Sequence, residues 1–284
     1  MQLPREVAVI GAGTMGAGIA RVFADAGASV RLSARREASL QAASERLGEA
    51  DVIATTSLDE ALKGAELVVE TVVEDVEPKR AILARAEDLA APNAILTTNT
   101  SSLRLSAIAS ALKEPRRFAG LHFLNPPELV EVVEIVGGED TSEDTIATLR
   151  GWMEELGKAP VVVRRDVPGF VANRLQYALL REAYALVDEG VCSFADVDRA
   201  VTYGLGARWA AIGPFETMDL AGLDVHAAVA ANLWPELSNT TEPSPSIAKA
   251  QDSGDGLRGD TPHDVLRERR NRVLRGLPAL REDR

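Results

Sequence analysis

The chain has 284 residues, 46% hydrophobic and 26% charged, which is ordinary for a soluble globular protein with room for two domains. A net charge of −12 argues against nucleic acid and anionic membrane as partners. A single cysteine (Cys192) and three scattered histidines (122, 226, 263) exclude an internal disulfide and a cysteine zinc cluster, and no metal site is expected.

The N-terminal stretch MQLPREVAVIGAG lacks a secretory pattern, and no segment reaches the roughly 18–20 apolar residues of a membrane span. The chain therefore reads as cytoplasmic. Short apolar runs, most of them β-branched, at 7–11, 29–33, 67–72, 94–98, 118–123, 130–136 and 159–164 are expected strands. Amphipathic segments at 14–26, 37–47, 57–63, 78–90, 103–111 and 142–156 are expected helices. This alternation predicts an α/β domain over 1–166, a doubly wound and mainly parallel sheet of the Rossmann type. Beyond 166 the strand signals stop. Helical periodicity over 173–190, 194–206, 219–234 and 262–277 predicts a smaller all-helical domain over 167–284, for substrate binding and dimerisation. Residues 238–262, rich in Ser, Thr, Pro, Gly and Asp, read as a loop or poorly ordered linker.

The first strand runs into GAGTMGAG, with Gly11, Gly13 and Gly16 in GxGxxG spacing. The first glycine permits the turn, the second lets a pyrophosphate approach the backbone, and the third lets helix pack on strand. Together with Thr14 and Met15 they form a dinucleotide-binding loop at a helix N-terminus. The second strand ends VRLSARRE, where a carboxylate usually accepts from the ribose hydroxyls of NAD. Here Ser33 removes that charge, and Arg35 and Arg36 can pair with a 2′-phosphate. The expected cofactor is NAD(P), with a lean toward NADP. Two solvated arginines at a helix start are the plainer reading.

In GLHFLNPPELVEVVEIV, His122 ends a strand, Asn125-Pro126-Pro127 turns the chain, and Glu134 lies on the returning strand. A carboxylate beside an imidazole fixes its tautomer and favours its charged form, which suits a general base.

After the glycine loop, TTNTSSL (97–103), GLHFLNPP (120–127), VEVVEIV (130–136) and DVPGFVANR (166–174) follow in this order. Together they resemble the 3-hydroxyacyl-CoA dehydrogenase family over nearly the whole chain. The resemblance implies that His122 takes the hydroxyl proton and that Glu134 orients it. It implies that Ser101 hydrogen-bonds the substrate oxygen, and that Asn173 holds the substrate oxygen or carbonyl. It places Glu74 and Lys79 at the cofactor ribose and Asn99 at the cofactor. It implies a homodimer built through the helical domain.

The chain departs from the family pattern in three places. The acidic residue after the second strand is missing. Residues 36–52 leave room for one short helix where the family carries a long helical hairpin. The family's C-terminal glycine–lysine segment is degraded to DSGDGLRGDTP (252–262). The last two favour a small hydroxy acid or carrier-bound acyl group over a free CoA ester. Within the broad family, the gulonate, carnitine and pyridine-carboxylate dehydrogenases act on small acids, and the stretches DVPGFVANRLQYALLREA and GPFETMDLAGLD are similar to the last type. Arg174, Arg181 and Arg208 are candidates for a substrate carboxylate, although each reads first as an ordinary surface arginine. A non-catalytic NAD(P)-binding protein of the crystallin type is the alternative.

Overall fold

The computed structural model describes residues 2–253, 257 and 262–277. The chain divides into two compact units, 1–174 and 175–284.

The first unit is built on eight strands: β1 (Glu6–Ile10), β2 (Ser29–Ser33), β3 (Val52–Thr55), β4 (Leu67–Glu70), β5 (Ile95–Thr98), β6 (Phe118–Phe123), β7 (Val132–Gly137) and β8 (Ala159–Val163). They form one sheet in the order β3-β2-β1-β4-β5-β6-β7-β8, parallel except where β7 runs against β6. Helices α1 (Thr14–Asp25), α2 (Glu37–Leu47), α3 (Leu58–Leu62), α4 (Val76–Leu89), α5 (Leu105–Ala109) and α6 (Glu143–Glu155) cover it. Alternation along β1 shows why both faces must be covered. Val7 and Val9 enter one core with Ile19 and Phe23 of α1, whereas Ala8 and Ile10 enter the other with Leu62 and Leu83. The chain order reverses between β1 and β4, the switch point where open α/β sheets hold ligands beyond their strand ends.

The expected mainly parallel sheet is present. β3 is the strand that sequence reading missed. It is a four-residue edge strand, VIAT, none of it buried and Ile53 58% exposed, so its short run is not set off as a buried strand is. The 67–72 strand stops at Glu70, because Thr71 turns away to bond the glycine loop. The first unit extends past the expected 166/167 division, because Phe170 is buried in the sheet's core and the N–H groups of Val171 and Ala172 bond Glu134.

Helix α7 (Ala172–Asp188) leads into the second unit. There follow α8 (Phe194–Ala200), a π-turn (Val201–Leu205), α9 (Gly206–Trp209), α10 (Pro214–Ala221), α11 (Leu223–Leu233), α12 (Pro245–Ser253) and α13 (His263–Gly276). The helix expected over 219–234 is two helices, broken at Gly222 with φ +92°. The expected loop over 238–262 is corrected in part. Residues 245–253 are helical, held by Ser244 and Ser246 hydroxyls donating to Asp188 at 2.6 Å each, after Ser238 N–H donates to Glu182. The degraded segment 252–262 lies mostly outside the described residues.

A methyl group on Gly16 would sit 1.7 Å from the Gly11 carbonyl oxygen, whereas one on Gly13 would meet nothing within 4 Å. Gly16→Ala is therefore expected to cost about 2–3 kcal/mol in urea unfolding, and Gly13→Ala less than about 0.5 kcal/mol.

Candidate active site

The glycine loop joins β1 to α1. Gly11 has φ +113° and donates to the Ser33 carbonyl at 2.8 Å. Thr71, at the end of β4, closes the loop from below: its hydroxyl donates toward the Ile10 and Gly11 carbonyls at 3.1 and 3.0 Å. Sequence reading missed Thr71, whose only signal was its place just after β4 at the switch point. Gly13 caps α1, with open space where a side chain would stand. The N–H groups of the first turn of α1 lack intrahelical partners, and no acidic residue lies there. This cradle fits a dinucleotide pyrophosphate held by Gly11, Gly13, Thr14, Met15 and Gly16. Ser33 is 3% exposed, so its side chain is largely covered, while Arg35 and Arg36 are exposed at the start of α2.

Beside the loop, buried charge organises the ends of β4 and β5. The Lys79 ammonium is 1% exposed and bonds both Glu70 oxygens at 3.0 and 3.1 Å, the Val72 carbonyl at 3.3 Å and Glu74 Oε2 at 3.3 Å. Glu70, fully buried, also accepts from the Thr98 hydroxyl at 2.6 Å. Thus Lys79, expected at the ribose, points inward onto two carboxylates. Such a pair is strongly destabilising to break, because either charge left alone would be uncompensated. Burial pushes the Glu74 carboxyl up, but hydrogen bonds from Thr100 and Ser101, the Lys79 charge and Ser102 together bring it down to about 2.

The third part of the site is the β6–β7 hairpin. Antiparallel pairing sets His122 directly opposite Glu134, with Nδ1 2.7 Å from Oε2. The other oxygen, Oε1, accepts from the N–H groups of Val171 and Ala172 at 2.8 and 2.9 Å, at the start of α7. Burial raises the Glu134 carboxyl, and the His122 and backbone hydrogen bonds outweigh it, so its pKa is lowered and it stays ionised. An ionised Glu134 can only accept, so Nδ1 carries the proton and Nε2 is the free basic nitrogen. Phe170, with φ +48°, sets its ring edge-on to His122, centroids 5.5 Å apart. Lys158 braces the intervening turn by donating to the Pro127 and Val130 carbonyls at 2.6 and 3.0 Å.

Hydrogen bonds join these parts. Asn99 accepts from the Phe123 N–H at 2.8 Å, tying the turn after β5 to the end of β6. Asp166 accepts from the Leu105 N–H at 2.7 Å, tying α5 to the DVPGF segment. Asn173 follows directly on the Glu134 contact, half-buried in the first turn of α7. The structure thus places His122 on Glu134. Asn99 bonds the residue after His122 and Asn173 follows the N–H groups that bond Glu134, whereas Ser101 bonds Glu74, and neither Ser101 nor Asn173 bonds His122 directly among the described residues. Arg174 approaches the Pro168 carbonyl at 3.5 Å and Arg208 the Gly204 carbonyl at 3.4 Å, both local contacts. No group of three metal-ligating side chains occurs among the described residues, and none of their helices is long and apolar enough to cross a membrane.

Comparison with known proteins identifies the family. Residues 6–52 and 49–167 match the NAD binding domain of 3-hydroxyacyl-CoA dehydrogenase, and residues 169–255 match its C-terminal domain. The chain is 33% identical to 5-formyl-3-hydroxy-2-methylpyridine 4-carboxylate 5-dehydrogenase of Mesorhizobium japonicum, over 99% of both chains. It is 36% identical to the mitochondrial hydroxyacyl-coenzyme A dehydrogenase of Homo sapiens, over 86% of this chain and 85% of that one. A crystal structure of a 5-formyl-3-hydroxy-2-methylpyridine 4-carboxylic acid 5-dehydrogenase, described as an NAD+-dependent dismutase, superposes with a TM-score of 0.92 at 32% identity, over 99% of both chains. On these matches the chain belongs to the 3-hydroxyacyl-CoA dehydrogenase family, as an NAD-dependent oxidoreductase.

Proposed function

We propose that the chain interconverts a hydroxyl and a carbonyl on a small acid, with His122 moving the proton and Glu134 holding it in place. The observation that carries this reading is the Glu134 carboxylate shared between His122 Nδ1 and the first N–H groups of α7. When bound, the nicotinamide cofactor accepts or supplies the hydride. His122 Nε2 takes the hydroxyl proton of an alcohol, or of a hydrated aldehyde, as that hydride leaves the same carbon. In reduction it returns the proton. Glu134 stabilises the imidazolium formed in between. Ser101 and Asn173 hold the substrate oxygen.

A small acid is favoured over a CoA ester because α2 alone lies between β2 and β3. The pyridine-carboxylate relative matched over 99% of both chains supports the same choice. Assays with NAD+ on 5-formyl-3-hydroxy-2-methylpyridine 4-carboxylate, L-carnitine and 3-hydroxybutyryl-CoA separate the possibilities. On the best substrate, His122→Gln is expected to lower turnover at least about a hundredfold while leaving NADH binding in place. Undiminished turnover would overturn His122 as the group that moves the proton, and no turnover of any substrate by the parent chain would return it to the non-catalytic reading.

For the cofactor, the absent carboxylate and the exposed Arg35 and Arg36 support acceptance of NADP beside NAD. The covered Ser33 and the NAD-dependent relatives argue against an outright preference. Titration by tryptophan quenching is expected to give NADH and NADPH affinities within about tenfold, and Ser33→Asp with Arg35→Ala to weaken NADPH selectively by repelling its 2′-phosphate. An already strong preference for NADH would make both arginines bystanders.

The second unit supports a homodimer. Among its described residues Thr217 alone is buried, while Phe215 is 84%, Leu220 79%, Tyr203 72% and Trp234 68% exposed. So much uncovered apolar surface on a helical unit of this size calls for a second copy. Sedimentation equilibrium is expected to show twice the monomer mass, and Phe215→Asp with Trp234→Asp to lower it. A stable, fully helical monomer would overturn the assignment.

A further inference from the structure

We propose that Glu74 is a positioning residue for Ser101, acting by fixing the turn 100–102 through a single carboxylate oxygen. The inference rests on the role given to Ser101 above and adds the device that holds it.

Glu74 Oε1 accepts four donors from three successive residues: the Thr100 hydroxyl at 2.6 Å, the Ser101 N–H at 2.9 Å, and the Ser102 N–H and hydroxyl at 3.0 Å each. A turn whose N–H groups converge on one anion has little freedom, because every bond is charge-assisted and each restricts the next. The anion is itself anchored. Its second oxygen meets Lys79, which is clamped by the buried Glu70, which in turn holds the Thr98 hydroxyl two residues before the turn. The turn is therefore tied to β4 and β5 at once. The Ser101 hydroxyl makes no hydrogen bond to another described residue, so with its backbone pinned only the χ1 rotor sets its direction. Oε2 is the less occupied oxygen, with one donor, and the Glu74 side chain is 36% exposed. It can accept a further donor such as a ribose hydroxyl without disturbing the turn.

The test uses the full chain with NAD+ and whichever of the three substrates above is turned over fastest. Glu74→Ala is expected to lower kcat about ten- to a hundredfold, with KM for NAD+ changed less than about threefold. Glu74→Gln, which keeps an oxygen for the turn, is expected to recover kcat to within about fivefold of the parent. Because Glu74 acts through Ser101, Glu74→Ala with Ser101→Ala should be no slower than Ser101→Ala alone. Hydrogen exchange at the Ser101 and Ser102 amides should quicken at least about tenfold in Glu74→Ala, with the β6 and β7 amides unchanged. Multiplying losses in the double variant, a change confined to KM for NAD+, or unaltered exchange would each overturn the proposal. A fully active Ser101→Ala would overturn the role of Ser101 itself, and this proposal with it. Turnover of none of the substrates would do the same for the function proposed above.

Discussion

The Glu134 carboxylate is the contact on which the site depends. One of its oxygens fixes the His122 tautomer and the other satisfies two N–H groups at the start of α7. A buried carboxylate is unfavourable unless it is hydrogen-bonded at every turn, and a helix start exposes N–H groups that need an acceptor. Each problem solves the other. The arrangement requires β7 to run antiparallel to β6, because that pairing places residues 122 and 134 opposite each other on one face. The single antiparallel pairing in an otherwise parallel sheet is thus the topological condition for the His122–Glu134 contact.

The same logic repeats beside the cofactor cradle with the charges exchanged. There the buried cation of Lys79 is compensated by Glu70 and Glu74, and the surplus bonding capacity of Glu74 orders the turn after β5. In both arrangements a carboxylate accepts from two successive backbone N–H groups, Glu134 from Val171 and Ala172 and Glu74 from Ser101 and Ser102. In both, the N–H groups lie at or beside the end of a regular element, the start of α7 and the turn after β5, and chain ends of this kind are where such a sheet presents its functional groups.

Much of this was legible in the sequence because it rests on local signals. Glycine spacing announced the loop at 11–16, short apolar runs announced the buried strands, and the Asn-Pro-Pro turn between two such runs announced the hairpin that pairs His122 with Glu134. What escaped had no local signature. The edge strand β3 has only four residues, too short a run to stand out soon after α2. Thr71 matters through bonds to residues sixty positions away, and no propensity encodes that. Lys79 was expected at the cofactor ribose, and nothing local in the sequence announces its burial between Glu70 and Glu74. The helix at 245–253 was hidden by flanking serines and prolines, and two of those serines are what fasten it to α7.

Phe170 shows how such a site constrains change. Among the described residues it is the sole non-glycine with positive φ, a conformation costing a bulky side chain on the order of 1–3 kcal/mol. Glycine would relieve that strain, and a search for more thermostable variants would nominate it at once. Yet the ring is 1% exposed and lies edge-on to the imidazole, and burying it returns roughly 1.5–3 kcal/mol. Strain and packing nearly cancel at this position, so exchanging the residue would gain little rigidity and would loosen the wall that keeps His122 in its rotamer. A residue can thus be locally unfit and still be the best occupant of its place.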